Sequence, residues 1–473
     1  MVRPGIELAG KRVLVLGLAR TGIATAQFCA ARRALVTAID DRPAELFGEA
    51  MAQLRPFGCT LHFGGAPAAS GDGSWAALAA QDLVVPSPGV PANHPGLVAA
   101  RAAGVPVWSE IELGWRFLRG RLVGVTGSNG KTTTTSLIGH ILASAGLPAT
   151  VAGNIGTPLI ACAEESTDQS ITVAELSSFQ LEWIDSFRPD IAVFLNLTPD
   201  HLDRHASMEE YARAKARIFE NQTERDAAVI NADDPAATQF APPKAQIFWF
   251  SREKRVASGA YLRGDQIFFR HDGEDVALFR RSEIGLRGEH NLENVLAAAS
   301  AAFLAGAAPD QIAAGVRTFP GVEHRLEFVA EISGVNFFND SKATNVDATI
   351  KALESFPGGM FVILGGKDKG SDYAPLVPLL RERACLVLLI GAAAEKIGAQ
   401  LAGAVPVEHA GTLERAVALA FERARPGDTV LLAPACASFD QFENYEHRGR
   451  VFKQLVGEIA KAAPAVRAHG GKV

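Results

Sequence analysis

The chain has 473 residues, of which 48% are hydrophobic and 21% are charged, and its formal net charge is −6. A chain of this length is expected to form about three domains with ample apolar core, and its weak negative charge gives no electrostatic reason to expect nucleic acid or an anionic membrane as a partner. The five cysteines are scattered without a CxxC pair, which is typical of reduced thiols in a cytoplasmic enzyme. The first residues lack the apolar core of a signal peptide, and no apolar run reaches the roughly 20 residues that span a bilayer, so membrane insertion is not expected.

Short runs rich in β-branched residues alternate with Ala- and Leu-rich helical stretches along the whole chain. This alternation predicts an α/β fold of three domains, each a mainly parallel sheet with flanking helices. One boundary is expected near Ser109 and another near TFPGVEHR at 318–325, where Pro320 and Gly321 break a helical pattern. Residues 247–281 alternate and are rich in turns, which predicts a small antiparallel insertion. The predicted domains are 1–109, 110–321 and 322–473.

The first glycine-rich turn, GLARTG from Gly17 to Gly22, fits the dinucleotide pattern Gly-x-Gly-x-x-Gly except that Ala19 takes the middle place. Asp40 follows about where a ribose-binding acid would stand. One hypothesis from this turn is an NAD-dependent oxidoreductase. The Cβ of Ala19 argues against it, because it stands where a dinucleotide pyrophosphate needs close approach, and a lack of NAD binding would exclude it.

A second glycine-rich turn, GVTGSNGKTTTT at 124–135, misses the Gly-x4-Gly-Lys-Ser/Thr pattern because Val125 stands where the first glycine should be. It nevertheless lies between a predicted buried strand, RLVGVTG, and a predicted helix, KTTTTSLIGHILASAG, which is the setting of a phosphate loop. Its glycines would let backbone N–H groups converge on a phosphate, its lysine would reach the β- and γ-phosphates, and the next threonine would ligate Mg²⁺. The predicted nucleotide-binding residues are Gly127, Ser128, Asn129, Gly130, Lys131, Thr132 and Thr133.

Two further strand ends carry side chains suited to Mg²⁺. Glu175 ends the predicted strand ITVAE, and a carboxylate at that place can hold the cation. His201, in NLTPDHLDRH, follows the next strand and is a possible ligand. A lone histidine at a strand end is more often structural, so this interpretation depends on its neighbours.

The helix predicted in MEEYARAKARIFEN has one apolar face. Tyr211, Lys215, Ile218 and Phe219 share it at i, i+4, i+7 and i+8. Lys215 therefore points inward. It either extends its amine outward or pairs with a buried carboxylate, or it is a functional amine whose pKa is lowered by burial and which can capture CO₂.

Ten motifs follow one another along the chain: GSNGKTTTT, AGNIGTP, AELSSFQLE, DHLDRH, YARAKARIFEN, GEHNLENVLAA, GVEHRLEFV, NDSKATN, LGGKDKG and PACASFDQFENY. In this order they resemble the Mur ligases over nearly the full length of the chain. The resemblance implies a Rossmann-like domain, a P-loop-type ATPase domain and a second Rossmann-like domain. NDSKATN with PACASFDQF implies ATP-dependent addition of D-glutamate to UDP-N-acetylmuramoyl-L-alanine in peptidoglycan precursor synthesis. Family members that add diaminopimelate or lysine would show a D-N-P-R-type motif near 340–420, and none is present.

The resemblance also implies functions for individual residues. The adenine, ribose and phosphates of ATP would contact Asn291, Asn294, Arg325 and Asp340. The UDP-sugar would contact Arg20, Thr21, Asp41, Arg42, Ser87, Asn154 and Ser177. D-Glutamate would be held by Lys342, Thr344, Lys369, Ser438, Phe439 and Tyr445, with Lys367 as the alternative to Lys369. Catalysis and two Mg²⁺ ions would depend on Lys131, Thr132, Glu175, His201 and Lys215, the last as a CO₂-derived carbamate.

The implied reaction is transfer of the γ-phosphate to the substrate carboxylate, followed by attack of the D-glutamate amine on the acyl phosphate, in a monomeric enzyme. Two alternatives remain besides the oxidoreductase. One is a related ligase for another amino acid, including folylpolyglutamate synthetase, which a panel of amino acids would test. The other is a non-catalytic scaffold switched by nucleotide, against which Glu175, His201 and Lys215 together argue.

Overall fold

Three α/β sheets follow one another along the chain, as the sequence predicts. The computed structural model describes residues 3–64, 80–199, 204–242, 244–286, 288–368 and 370–462. The first two sheets belong to one unit, formed by residues up to 285 together with 290–319, and the third sheet belongs to a second unit, formed by 286–289 and the residues from 320 onward. The predicted domain limits at 109 and 321 stay predictions.

The first sheet has four parallel strands in the order β3-β2-β1-β4. Strands β1, β2 and β4 are largely buried, whereas the edge strand β3 is only partly buried. The core under this sheet also takes in Leu113 and Ile160 from the segment that follows, so the first sheet packs on the beginning of the central region. The elements are β1 Arg12–Leu16, α1 Arg20–Ala31, β2 Leu35–Asp40, α2 Gly48–Leu54, β3 Thr60–Phe63, β4 Leu83–Pro86, α3 Pro95–Ala102 and α4 Glu110–Phe117.

The second sheet has nine strands in the order β13-β12-β11-β10-β9-β8-β5-β7-β6. Strand β5, third from the β6 edge, pairs in parallel with β7 and β8, so the turn after it opens at the carboxyl edge between the segments that follow those two strands. The elements are β5 Arg121–Thr126, α5 Lys131–Ser144, β6 Ala149–Gly153, α6 Leu159–Cys162, β7 Ile171–Glu175, α7 Ser178–Leu181, β8 Ile191–Phe194, α8 Met208–Ala216, β9 Ala227–Asn231, α9 Pro235–Thr238, β10 Gln246–Ser251, β11 Gly259–Arg263, β12 Gln266–His271, β13 Glu274–Arg280, α10 Glu289–Leu304 and α11 Pro309–Thr318.

The prediction of a small antiparallel insertion at 247–281 was partly wrong. Strands β11, β12 and β13 do form an antiparallel meander. Strand β10, however, runs parallel to β9 and to β11, so the whole segment extends the central sheet instead of standing apart from it. Alternation along a strand reports a half-buried face and does not report the direction of the neighbouring strand.

The third sheet has six strands in the order β14-β15-β19-β16-β17-β18, and only the edge pair β14-β15 is antiparallel. Its carboxyl edge gathers the loops after β15, β16, β17 and β19, where α/β sheets bind ligands. Among the described residues, no helix has the length and apolar character to cross a membrane. The elements are β14 Glu327–Ile332, β15 Val335–Asn339, α12 Val346–Glu354, β16 Met360–Gly365, α13 Val377–Arg383, β17 Ala384–Ile390, α14 Ala394–Leu401, β18 Val407–Gly411, α15 Leu413–Arg423, β19 Thr429–Leu432 and α16 Tyr445–Ala462.

Candidate active site

The turn between β5 and α5 is held in shape by the segment that follows β8. The backbone N–H of Ser128 donates to the carbonyl of Asn196 at 3.0 Å, and the N–H of Asn129 donates to the Asn196 side-chain oxygen at 2.8 Å. Gly130 has φ +84°, and a Cβ there would lie 2.1 Å from Oδ1 of Asn294. Only glycine therefore permits both the left-handed backbone and the approach of Asn294 to the loop.

Two lysine side chains meet at one carbonyl oxygen of this loop. Lys131 Nζ donates to the carbonyls of Gly127 and Ser128 at 2.8 and 2.7 Å. Lys215, which is 1% exposed, donates to the same Gly127 oxygen at 2.8 Å. Each nitrogen lies 2.8 Å from the Gly127 oxygen, so Nζ of Lys131 and Nζ of Lys215 are separated by at most twice that distance. Lys131 is half-buried, and two ammonium groups this close to each other repel.

Helix α8 delivers Lys215 to the loop. The four residues predicted to share its inward face are all buried, which confirms the periodicity argument. The helix ends at Ala216, earlier than the sequence pattern suggests, and a single 3₁₀ turn at 217–219 completes the face. The Tyr211 hydroxyl donates to Oγ of Ser128 at 3.2 Å, and the Lys215 nitrogen lies 4.6 Å from the Tyr211 ring centroid.

Glu175 stands at the end of β7, opposite Val125 at the end of β5 in the strand register. It is 2% exposed, and its Oε1 accepts a hydrogen bond from the Asn154 side chain at 2.9 Å. Its other oxygen, Oε2, is buried and has no hydrogen-bond partner among the described residues. A buried carboxylate oxygen without a donor is costly, and a cation beside it would satisfy it.

The predicted adenine-side asparagines lie against the phosphate loop. Asn291 and Asn294 are buried on α10, and the Asn294 amide donates to Oδ1 of Asn291 at 3.0 Å. The Thr134 hydroxyl donates to Oδ1 of Asn294 at 3.4 Å, which joins α10 to the first turn of α5. Thr132 and Thr133 are also buried in this turn. The structure thus brings together five of the predicted features: the loop, its lysine, the second lysine, the carboxylate and the asparagine pair.

A cavity of about 410 Å³ opens at the carboxyl edge of the first sheet. Four of the residues predicted to contact the UDP-sugar line it: Thr21, Asp41, Arg42 and Ser87. Sequence reasoning missed His94, which also lines this cavity; its Nε2 lies 3.1 Å from Oδ2 of Asp41. The only sequence signal for His94 was its position just before Pro95. In the structure the His94 ring caps helix α3 by accepting a hydrogen bond from the Gly96 N–H.

Asp40 is occupied by its own neighbours. Its carboxylate accepts from the backbone N–H groups of Leu18 and Arg42 at 2.8 and 3.0 Å, and from two nitrogens of the Arg42 guanidinium at 2.9 and 3.0 Å. Burial alone would raise the pKa of Asp40, but these hydrogen bonds outweigh it and lower the pKa. Both oxygens are therefore engaged in shaping the turn, which weakens the interpretation of Asp40 as a ribose ligand of NAD.

Three other predicted UDP-sugar residues lie outside the cavity lining. Arg20 lines a neighbouring groove of about 550 Å³, which also takes in Ala19 and Arg42. Asn154 is bound to Glu175 through its backbone N–H as well as its amide. Ser177 caps the short helix α7 through its hydroxyl. The last two therefore stand beside the carboxylate at the end of β7 instead of at the first sheet.

The described D-glutamate residues of the prediction lie in the loops after β15 and β19 at the carboxyl edge of the third sheet, and at the start of α16. The Lys367 N–H donates to the carbonyl of Ala437 at 2.8 Å, which joins the loop after β16 to the loop after β19. Ser438 is buried in the second loop, whereas Phe439 is 66% exposed. The Lys342 nitrogen lies 5.9 Å from the ring centroid of Tyr445 at the start of α16.

Arg448, which sequence reasoning missed, fixes these loops to α16. It is fully buried, and its guanidinium donates to Oγ and the carbonyl of Ser341 at 3.0 and 2.8 Å and to the carbonyl of Cys436 at 3.2 Å. Burial lowers the pKa of Arg448 to about 10. The signal was available, because Arg448 precedes the buried Phe452 and Val456 at steps of four on the apolar face of the helix.

The predicted ribose and phosphate residues of the second unit also lie at this edge. Asp340 follows β15, and its Oδ1 accepts from the Leu326 N–H at 3.3 Å. Burial raises the pKa of Asp340 to about 6, and Arg325 opposes the shift. Thr344 follows in the same loop, where its N–H donates to the carbonyl of Lys342 at 2.8 Å.

Two of the predicted site residues, His201 and Lys369, lie outside the described residues. The described parts of the chain contain one group of three side chains with metal-binding atoms, at Glu323, His324 and Glu327. The ammonium of Lys453 bridges both of these carboxylates, so their charge is already partly compensated.

Sequence models of three protein families match consecutive parts of the chain. A Mur ligase MurD-like N-terminal domain matches residues 11–109, a Mur ligase middle domain matches 125–302, and a Mur ligase glutamate ligase domain matches 324–436. Together they cover well over half of the chain.

Curated proteins and solved structures resemble the chain over almost its whole length. A protein of Acidobacterium capsulatum named UDP-N-acetylmuramoylalanine--D-glutamate ligase is 54% identical, with 95% of this chain and 97% of that protein covered. A protein of Koribacter versatilis with the same name is 52% identical, with 96% and 99% covered. A structure of UDP-N-acetylmuramate-alanine ligase from Thermotoga maritima aligns with a TM-score of 0.60 at 18% identity, covering 95% of this chain and all of the other. At that identity the structural likeness supports the fold alone.

Proposed function

The chain belongs to the Mur ligase family, and from that premise we propose that it joins D-glutamate to UDP-N-acetylmuramoyl-L-alanine, using ATP, in peptidoglycan precursor synthesis. It is an ATP-dependent ligase that forms an amide between an acid and an amino acid. One observation of the structure carries the proposal furthest: Lys131, Lys215 and Glu175 converge around a phosphate-loop turn at the carboxyl edge of the central sheet.

The phosphate loop and its lysine would bind and orient the nucleotide. The N–H groups at the start of α5 and the Lys131 ammonium offer positive charge where the γ-phosphate would lie. Phosphoryl transfer depends mainly on positioning and on neutralising charge, which is the work this loop is suited to do. The substrate carboxylate would attack the γ-phosphorus in line and displace ADP. The amine of D-glutamate would then attack the carbonyl carbon of the acyl phosphate, lose a proton and displace inorganic phosphate.

The donor set around this loop fits Mg²⁺. The unpartnered Oε2 of Glu175 is the observation that supports a cation there, because carboxylate and hydroxyl oxygens are the ligands this ion prefers. Thr132, Glu175 and His201 would hold it, and a carbamate on Lys215 would supply oxygen to a second ion. When bound, the two ions neutralise charge on the transferring phosphoryl group.

The cavity of the first sheet would hold the UDP part of the substrate. Thr21, Asp41, Arg42 and Ser87 line it, and Arg20 would reach the substrate from the neighbouring groove. Asn154 and Ser177 stand beside Glu175 and would contact the muramoyl end. In this order the substrate's carboxylate would be directed toward the phosphate loop, as the reaction requires.

The second unit would bind the amino acid. D-Glutamate brings two carboxylates, and hydroxyl and ammonium groups at Lys342, Thr344 and Ser438 are suited to bind them. Lys369, or Lys367 in the same loop, would add a further cation, while Phe439 and Tyr445 would bound the site. Arg325 and Asp340 would contact the ribose and phosphates of ATP.

We also propose that the enzyme is a monomer that works in the cytoplasm on small molecules, without nucleic acid. Its five cysteines are unpaired, which fits a reducing compartment.

Phosphate release tests the proposal directly. With ATP, Mg²⁺ and UDP-N-acetylmuramoyl-L-alanine, the wild-type protein is expected to release phosphate with D-glutamate at a rate at least about 100-fold above that with L-glutamate, because a site that pairs each polar group of one enantiomer leaves groups unpaired with the other. A panel with L-lysine and diaminopimelate serves as the control. Release with another amino acid in preference to D-glutamate would contradict the proposed substrate.

Removal of a hydroxyl from the amino-acid site is expected to raise the KM for D-glutamate much more than the KM for ATP. Ser438→Ala or Thr344→Val should raise the KM for D-glutamate by about 10- to 100-fold, because a hydrogen bond to a charged group contributes roughly 1.5–3 kcal/mol. The KM for ATP should change by less than about 3-fold. Equal effects on both KM values would show that these hydroxyls do not hold the amino acid.

A further inference from the structure

Arg204 joins the wall of the first-sheet cavity to the central region of the same unit. Its guanidinium donates to the backbone carbonyls of Gly89 and Val90, each at 3.2 Å. Gly89 and Val90 line the cavity of about 410 Å³. The guanidinium carbon also lies 4.3 Å from the ring centroid of Phe179 on helix α7. The planar guanidinium of Arg204 therefore binds two successive carbonyls of the cavity wall, and its face packs on the ring of Phe179.

The residue after Arg204 continues the connection toward the phosphate loop. His205 is 1% exposed, its Nε2 lies 3.0 Å from Oγ of Ser178, and its ring stacks on Phe179 with centroids 5.5 Å apart. The His205 ring also lies beside the ring of Tyr211, with centroids 5.2 Å apart. The Tyr211 hydroxyl donates to Ser128 in the phosphate loop. A continuous series of contacts thus runs from the cavity wall to the loop.

We propose that Arg204 is a positioning residue that couples binding of the UDP-sugar to binding of the nucleotide. The inference rests on the proposed function, because it takes the cavity as the UDP site and the loop as the ATP site. Neither Arg204 nor His205 is needed to touch a substrate. Arg204 acts through the carbonyls of Gly89 and Val90, whose positions set the shape of the cavity.

The physical basis is shared ordering of the two sites. A nucleotide in the phosphate loop would restrict Ser128 and, through it, Tyr211 and His205. With His205 fixed, Arg204 is held over Phe179 and keeps the cavity wall in the geometry that receives the UDP-sugar. The second ligand then has less conformational entropy to lose, which gives positive cooperativity without a large change of shape. Linkage requires the effect to be equal in both directions.

The coupling is measured by titration calorimetry with UDP-N-acetylmuramoyl-L-alanine, in the presence and absence of Mg²⁺ and a non-hydrolysable ATP analogue. For the wild type we expect the Kd to fall at least about 5-fold when the nucleotide analogue is present. For Arg204→Ala this ratio is expected to fall below about 2-fold, while the KM for D-glutamate at saturating UDP-sugar and ATP changes by less than about 2-fold.

Two variants make the comparison specific. Arg32→Ala removes another arginine that stacks on a phenylalanine, Phe28, and reaches from the first sheet to Glu164, but lines neither cavity. It should keep the wild-type coupling ratio. Arg204→Lys retains the charge and the stem but lacks the fork that bonds two carbonyls, so its ratio is expected below about 3-fold. If Arg204→Ala fails to fold, Arg204→Lys provides the test of the coupling.

Two results would overturn the inference: an uncoupled wild type, or Arg204 variants that couple as strongly as the wild type. Failure of the proposed function would be seen separately, as a wild type that neither binds UDP-N-acetylmuramoyl-L-alanine nor turns it over with D-glutamate. In that case UDP alone replaces UDP-N-acetylmuramoyl-L-alanine in the titrations, because it is the part of the substrate that the cavity is proposed to bind. An uncoupled wild type, or Arg204 variants that couple as strongly as the wild type, would again overturn the inference.

Discussion

Lys131→Ala is expected to lower phosphate release by about 10²–10³-fold or more, because Lys131 supplies the positive charge that the phosphate loop would place on the transferring phosphoryl group. Its ammonium already lies across the loop, on the carbonyls of Gly127 and Ser128. The Kd for UDP-N-acetylmuramoyl-L-alanine, measured without nucleotide, should stay within about 2-fold of wild type, since the UDP cavity belongs to a different sheet. Steady-state phosphate release and calorimetry measure the two quantities.

Lys254→Ala is the matched control, because Lys254 is an exposed lysine in a turn of the same unit. It should leave both phosphate release and UDP-sugar binding unchanged. Near-normal phosphate release by Lys131→Ala would remove the assignment of the turn as a phosphate loop, whatever the UDP measurement gave.

The central site shows what periodicity and local motif can predict. The inward face of α8 follows from apolar spacing alone, and the structure buries all four of its predicted members, Lys215 included. The strand–turn–helix order around Gly130 was equally readable, since it is local. The convergence of Lys131 and Lys215 on one oxygen of Gly127 was not, because the residues are far apart in sequence and only the fold brings them together.

Three polar residues bond to groups that lie far away along the chain, and the sequence does not name these partners. His94 pairs with Asp41 across the first-sheet cavity, and Arg448 pins two loops of the third sheet. Arg204 does the same for the cavity wall at Gly89. Each of these polar side chains forms a hydrogen bond with a group more than 50 residues away in the sequence. A local sequence pattern does not predict a partner at that distance. Asp40 is held by the backbone N–H groups of Leu18 and Arg42 and by the Arg42 guanidinium, which agrees with the argument against NAD.

Lys215→Ala is expected to be nearly inactive, with a fall in phosphate release of about 10²-fold or more, and the cause would be the loss of a carbamate. The Lys215 nitrogen is buried and donates to the same Gly127 carbonyl oxygen as the Lys131 nitrogen, so two ammonium groups there would repel each other. Carbamylation replaces its +1 with −1 and adds two oxygens of the kind Mg²⁺ prefers. One charge of each sign then meets at the loop, and the repulsion between the lysines becomes attraction.

A small carboxylic acid distinguishes this from a structural function of the lysine. Acetate can enter the space that Lys215→Ala leaves and provide the two oxygens, so it should restore part of the phosphate release in a concentration-dependent way. Lys215→Arg should not respond, because arginine fills the space with a fixed cation. Arg213→Ala, an exposed cation on the same helix with 73% side-chain exposure, should behave as the wild type. If Lys215 were only structural, its variants would unfold at lower temperature and acetate would restore nothing. An unextended amine in the electron density of a crystal grown with bicarbonate, metal and nucleotide would count decisively against the carbamate.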